Sequence, residues 1–184
     1  RERWESEPSN IQYGLDYVKT LQDSGDNGRV VEICNELLIY DKYNKYILQN
    51  LAEAYQNLYK EEDALYIYQT MAKVDPTNFK IAIDISIIFI NQEKYQDALE
   101  WADKAINISN SKGNAYYQRA EVYFAVAESC SSDPIQFWDK IVYEISWIDY
   151  QTAVNKGYKQ AKARRDFLKE NYITTTSDWF MRPE

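Results

Sequence analysis

Histidine is absent from this chain, which removes the commonest general base near neutrality and the commonest metal ligand. Cysteine is scarce. Cys34 and Cys130 have no CxxC spacing, so no disulfide framework, zinc site or redox pair is expected, and each reads as a small, half-buried apolar residue. Glycine numbers only 5, with no Walker loop among them, and neither GxSxG nor HExxH occurs. Nucleophilic, phosphoryl-transfer and zinc-hydrolase chemistry therefore lack their usual parts, and we expect a non-catalytic protein without a cofactor. No apolar run reaches the roughly 18 residues that a membrane span needs, and the charged opening RERWESEPSN is not a signal peptide. Positive charge is also in short supply. Lys and Arg number 21 against 29 Asp and Glu, and the net charge of -8 opposes nucleic acid and anionic lipid alike. A start without Met reads as a processed or trimmed piece, so location stays open: soluble, and either cytoplasmic or exported with a leader removed.

What the chain does contain is apolar surface, with 45% hydrophobic and 15% aromatic residues in 184, enough for one compact domain or one short solenoid. Shifted by 34 residues the sequence matches itself: Tyr55 falls on Phe89, Asp63 on Asp97, Ala64 on Ala98, Leu65 on Leu99 and Leu51 on Ile85. The same shift places Leu21, Val30, Val31 and Leu37 in corresponding apolar slots. Ala98, Ala102 and Ala105 keep one helical face small, so that a neighbouring helix can approach closely.

Residues 45–78 supply Leu48, Leu51, Ala52, Tyr55, Ala64, Tyr68 and Pro76, and residues 79–112 supply Ile85, Ser86, Phe89, Ala98, Ala102 and Ala105. This pattern resembles the tetratricopeptide repeat family, whose unit is two antiparallel helices. Met71, Ala82, Asn110 and Arg119 depart from it. The resemblance implies an all-α, right-handed solenoid of about four helix-turn-helix repeats, over 11–44, 45–78, 79–112 and 113–157. Residues 1–10 would be an N-terminal extension, and 158–184 a capping helix and tail. Gly14, Tyr17, Val18 and Cys34 carry the looser first unit, and Tyr116, Ala120 and Tyr123 the fourth. Tyr123 to Ser146 spans 23 residues where Tyr55 to Ala64 spans 9, so the fourth unit carries an insertion of 14, placed around 127–140.

Taken alone, IAIDISIIFI alternates like a strand, but it occupies the register of YILQNLAEAY and is expected to be helical. Asp75-Pro76 closes one helix, Ser9 with Gln12 reads as a capping box, Asp133-Pro134 as an N-cap followed by Pro, and Gly157 as a C-cap. SSDPIQFWDKIVYEISWIDYQTAV reads as a helix of about 22 residues.

The resemblance further implies that one stripe of each first helix lines a concave groove that holds peptides. Carried over by register, the stripe is Gln12, Leu15 and Lys19; Tyr46, Gln49, Glu53 and Asn57; Lys80, Ile83, Ile87 and Asn91; Asn114, Tyr117 and Glu121. Ile90 lies on the same second stripe of its helix. Apolar anchors with amide side chains suit a protein or peptide segment, neutral or basic in view of Glu53 and Glu121. The family's carboxylate-clamp slots carry Gln49, Glu53 and Ile83, so a free C-terminal carboxylate is not the expected ligand. Alternatively the insertion or the tail, with Trp179, Phe180 and Met181, fills the groove; Trp4 poses the same question at the front. A second surface, Trp138, Ile141, Trp147 and Ile148, would dock another chain or make the protein a structural element that self-associates as a homo-oligomer. The basic face of YKQAKARRDFLKENY, through Lys159, Lys162, Arg164 and Arg165, reads as solvated. DSGDNG begins like a calcium loop with Asp23, Asn27 and Gly28, but Gly25 and Cys34 stand where ligands are needed, so it reads as an interhelical turn. Glu61, Glu62 and Asp63 fall in the equivalent turn.

Overall fold

A computed structural model describes residues 2–182, and side chains from residue 3 onward. Among the described residues every regular element is a helix, and the chain divides after Pro76 into two compact units. Unit 1 holds α1 (Glu2–Ser6), α2 (Ile11–Asp23), α3 (Asn27–Tyr40), α4 (Lys45–Asn57) and α5 (Glu61–Val74). Unit 2 holds α6 (Phe79–Asn91), α7 (Tyr95–Ile108), α8 (Gly113–Cys130), α9 (Phe137–Asn155), α10 (Ala161–Asn171) and α11 (Thr176–Phe180). The helices α2, α4, α6 and α8 begin at residues 11, 45, 79 and 113, steps of 34, so the repeat frame is an all-α helical-repeat architecture.

The alternating stretch is helical, as its register requires. Within α6 the residues Ile81, Ala82, Ile85, Ser86, Ile88 and Phe89 are buried. Burying each large side chain is worth about 1.5–3 kcal/mol, which outweighs a β-branched propensity cost of a few tenths of a kcal/mol per residue. Ala98, Ala102 and Ala105 are fully buried on α7, and the Ser86 hydroxyl donates to the Ala98 carbonyl at 2.8 Å across the α6–α7 contact. That distance is open only to a small residue at position 98.

The helix ends repeat too. Asn10, Asn44 and Asn78 cap α2, α4 and α6, each accepting from backbone N–H groups of the first turn. Asn10 thus takes the place expected for a Ser9–Gln12 box. Three turns after α2, α4 and α6 close in the same way, with Gly25, Tyr59 and Glu93 in the left-handed region at φ 76, 57 and 58. The following amides, of Asp26, Lys60 and Lys94, reach back to Leu21, Tyr55 and Phe89 carbonyls at 3.0, 2.9 and 2.9 Å. Only the first of these positions is glycine, and an L side chain there costs about 1–2 kcal/mol. Tyr59 is 92% exposed, so little packing would be lost with its ring. Tyr59→Gly is expected to raise stability by about 0.5–1 kcal/mol, read as a higher urea midpoint at unchanged m-value; a lower midpoint would refute the turn assignment.

The fourth pair departs from the frame. Ala127 stands where Gly25, Tyr59 and Glu93 turn the chain, but it is buried and helical, so α8 runs on to Cys130 for 18 residues against 13 in α6. The insertion expected at 127–140 is therefore shared: α8 is extended, a short loop follows, and α9 is lengthened to 19 residues, shorter than the helix of about 22 read from sequence. Asp133-Pro134 is not its N-cap. That peptide is cis, and α9 starts at Phe137 behind Gln136, whose backbone N–H donates to Asp139 Oδ2 at 2.8 Å. Cys130 is exposed rather than half-buried, whereas Cys34 is buried and its thiol is pushed up to about 12 by that burial.

Gly157 ends α9 at φ 87, with its N–H bonded to the Val154 carbonyl and that of Tyr158 to Ala153. Gly113 opens α8 so close to this turn that a Cβ would lie 2.6 Å from the Ala153 carbonyl oxygen. The α10 helix then packs its buried Ala161 and Leu168 into the core formed with Ala120, Tyr143, Tyr150 and Ala153. Tyr172 stacks on Tyr143 at 4.3 Å between ring centroids.

Candidate functional site

In unit 2 the register that buries Ile85 and Phe89 turns Ile87, Ile90 and Asn91 toward α8, where Tyr117, Gln118 and Glu121 face them across a depression of about 260 Å³. The depression gathers Ile87, Asn91, Tyr117 and Glu121 from the predicted stripe, together with Ile90. Gln118 was not singled out by sequence. It is almost fully buried, and its amide donates to the Ser86 hydroxyl at 3.1 Å, so the floor of the depression is a hydrogen-bonded chain, Gln118 to Ser86 to Ala98. Its signal was the polar frame position it shares with Asn50 and Asp84.

The α8 wall is fixed from behind. Tyr117 lies 5.5 Å from the Tyr150 ring and 5.1 Å from that of Tyr158. Glu121 accepts from the Tyr150 hydroxyl at 2.7 Å and lies 3.7 Å from Arg164 Nε. Burial, reinforced by Glu121, pushes the Tyr117 phenol up to about 12. A rigid wall of this kind loses little side-chain entropy on binding.

Other stripe residues of unit 2 sit differently. Lys80 is exposed and Asn114 half-buried, while Ile83 is half-buried against the cluster of Ala82, Ala105 and Ala115 with Trp101. Ile83 is therefore as much core as surface. In unit 1, Tyr46 is exposed with Lys45 Nζ 5.0 Å from its ring centroid, Gln49 donates to Glu53 at 2.6 Å, and Asn57 donates to Asn27 at 3.2 Å. On α2, Gln12 donates to Asp16 at 2.8 Å, Leu15 is half-buried and Lys19 exposed.

The second predicted surface separates into two parts. Trp138 and Ile148 are exposed on α9, joined by Ile145, whereas Ile141 and Trp147 are half-buried and Trp147 packs against the core around Tyr143 and Tyr150. The tail folds back onto α9: Trp179 meets Phe137 at 5.1 Å, Lys140 pairs with Asp178 at 2.8 Å, and the Thr174 amide donates to Glu144 at 2.7 Å. Phe180 and Met181 stay exposed, and Trp4 is buried in unit 1. These contacts place the tail on α9 and not in the depression between α6 and α8. Two readings of charged residues need correction. Arg164 stacks over Phe124 at 4.8 Å and Arg165 bonds Asp166, so that side of α10 is not simply solvated. Glu61, Glu62 and Asp63 form the first turn of α5, where the positive end of the helix favours them, rather than lying in the turn before it.

Among the described residues no group of three or more acidic or sulfur side chains is placed to hold a metal. DSGDNG is the α2–α3 turn, with Asp26 accepting from the Arg29 amide at 3.2 Å as the α3 cap. No helix among the described residues is long and apolar enough to cross a membrane.

No family model matches the chain, and no curated protein matches it. Solved structures do. The crystal structure of MamA is similar over 88% of this chain and 86% of its own, at 17% identity and a TM-score of 0.69. A thermophilic tetratricopeptide protein of Thermus thermophilus, TTC0263, is similar over 92% of this chain and 87% of its own, at 15% identity and a TM-score of 0.68. At such identities the shared property is the fold.

Proposed function

From a chain that carries a tetratricopeptide-like repeat fold, we propose a non-catalytic protein-interaction module that holds a neutral or basic peptide segment against the first helices of its repeats. The observation that carries this reading is the depression between α6 and α8, where Ile87 and Ile90 offer apolar contact and Asn91 and Tyr117 offer polar edges. Apolar anchors supply affinity in such a surface and amides pair with peptide backbone.

Ile87 is the residue to test, because it is 37% exposed whereas Ile83 also belongs to the core. Ile87→Glu is expected to weaken a captured peptide by about 30-fold or more, the scale of losing a central anchor, with helical circular dichroism unchanged. The experiment is affinity capture from the native source with wild type and variant side by side, followed by titration of the captured segment. Equal capture by both proteins would exclude this surface.

A second reading is self-association through α9, supported by Trp138, Ile145 and Ile148, which share one exposed helical face at spacings of seven and three. Light scattering on wild type and Trp138→Ser/Ile148→Lys tests it: a monomeric wild type disposes of it.

A further inference from the structure

Two further concavities lie off the predicted stripe. In unit 1 two adjoining depressions, of about 360 and 370 Å³, run between the outer faces of α3 and α5 and share Lys42, Tyr66 and Thr70. Their volumes fall within the range of roughly 300–1,000 Å³ typical of binding clefts. Leu48 of α4 forms the floor. Ile39, 80% exposed, and Tyr66, 69% exposed, stand on opposite walls, and Tyr43 and Val74 carry the apolar lining to the far end. Single exposed hydrophobics need no explanation, but convergence of four on one cleft does.

The charge of this cleft is the reverse of the chain's. Lys42 and Lys73 line it, and none of its lining residues is acidic, in a protein of net charge -8. Asp41, next to Lys42, does not line the cleft and accepts from the Asn44 side chain at 3.0 Å. Lys42 Nζ sits 5.4 Å from the Tyr43 ring centroid, held near the cleft mouth. Cations at the rim and an apolar floor complement a carboxylate-bearing segment with one bulky apolar side chain.

We propose that the α3–α5 cleft of unit 1 is a docking site for an acidic peptide segment anchored by an aliphatic or aromatic side chain. It is separate from the α6–α8 depression in both location and charge preference, so the two can be tested apart. The protein would then hold two segments of different chemistry.

The test is selection from a random dodecapeptide display library on the full chain, followed by fluorescence titration of the enriched synthetic peptides. Enriched peptides are expected to include a net-negative class with one bulky apolar residue. Members of that class should lose about tenfold or more in affinity on Lys42→Glu/Lys73→Glu or on Tyr66→Ala, weaken as salt rises, and bind Ile87→Glu as they bind wild type. Lys42, Lys73 and Tyr66 are exposed, and unchanged thermal unfolding of the variants confirms that folding is intact. The proposal is overturned if no acidic class is enriched, if acidic peptides ignore the charge reversal, or if they are lost only on Ile87→Glu. A wild-type dimer that Lys42→Glu/Lys73→Glu dissociates would also overturn it, since the occupant would then be a second copy.

Discussion

Asp149→Ala is expected to strip about 2–3 kcal/mol from unit 2, because it leaves a guanidinium, 26% exposed and still paired with Asp103, without its main counter-charge. Arg119 occupies the frame slot of Leu51 and Ile85, where an apolar side chain belongs. Instead of spoiling the core it is answered on two sides. Its Nε and Nη2 bond the two carboxylate oxygens of Asp149 at 2.6 and 2.9 Å, and its Nη1 bonds Asp103 at 2.8 Å. Asp149 is only 4% exposed. These hydrogen bonds hold the guanidinium proton above its ordinary affinity, chiefly through Asp149. One side chain thereby ties α7, α8 and α9 together in a bidentate geometry that a lysine cannot copy. The expected results are a fall in urea midpoint for Asp149→Ala, a fall of similar size for Asp149→Asn, and recovery to within about 1 kcal/mol of wild type in Arg119→Met/Asp149→Leu, where both charges are gone. Trp101, Trp138, Trp147 and Trp179 belong to unit 2 and Trp4 to unit 1, so in a Trp4→Phe background fluorescence follows the unfolding of unit 2. A loss under about 1 kcal/mol in Asp149→Ala would show the pair to be incidental.

The same residue marks where sequence ceased to be a sufficient guide. A polar side chain in an apolar slot is visible in the frame, but its partner lies 30 residues on, beyond an insertion that breaks the frame. Counting gives the length of such an insertion and not its placement. The fourth pair lacks the residues found at both ends of the other first helices: Lys112 replaces the N-capping Asn of 10, 44 and 78, and Ala127 replaces the left-handed residue of 25, 59 and 93. At that position Ala127 is buried and helical, and α8 continues. Asp133-Pro134 has the composition of a cap, yet the cap is formed by Gln136 and Asp139, a weaker signature.

Where the frame holds, much more was legible. Register alone made α6 a helix against its own alternation, because burial of Ile81, Ile85, Ile88 and Phe89 depends on position in the repeat and not on local propensity. It also brought Ile87, Asn91, Tyr117 and Glu121 to one depression. Trp147 shows the limit: from sequence it joined Trp138 on an outward face, but the lengthened α9 turns it against the core that α8 and α10 complete. The α3–α5 cleft was not legible at all, since it arises from the spacing left between second helices and not from any motif.

Alkali should dismantle unit 2 as pH rises from about 10 toward 12, and tyrosine is the reason. Burial first, then Glu121 or Glu128, raises three phenols of this unit: Tyr117 and Tyr143 from 10.0 up to about 12, and Tyr150 further still. Tyr143 donates to Glu128 and Tyr150 to Glu121, both at 2.7 Å, and a donated proton must stay on the oxygen for the bond to survive. In the unfolded chain the same phenols ionise near 10. The unfolded state thus releases protons that the folded state keeps, so the contribution of these groups is complete below about pH 10 and is lost as pH rises toward 12. Unit 2 fluorescence and tyrosinate absorbance are expected to change together in that window. Tyr143→Phe/Tyr150→Phe removes two of the ionisations while keeping the rings, and should move the midpoint upward by about half a pH unit or more, even if stability at neutral pH falls with the two lost hydrogen bonds. A midpoint that stays put or drops in the double variant would mean that lysine or backbone ionisation, and not the buried phenols, governs alkaline unfolding. Opposite shifts at neutral and alkaline pH from one pair of substitutions are hard to obtain from packing changes alone, which would lower stability across the whole range.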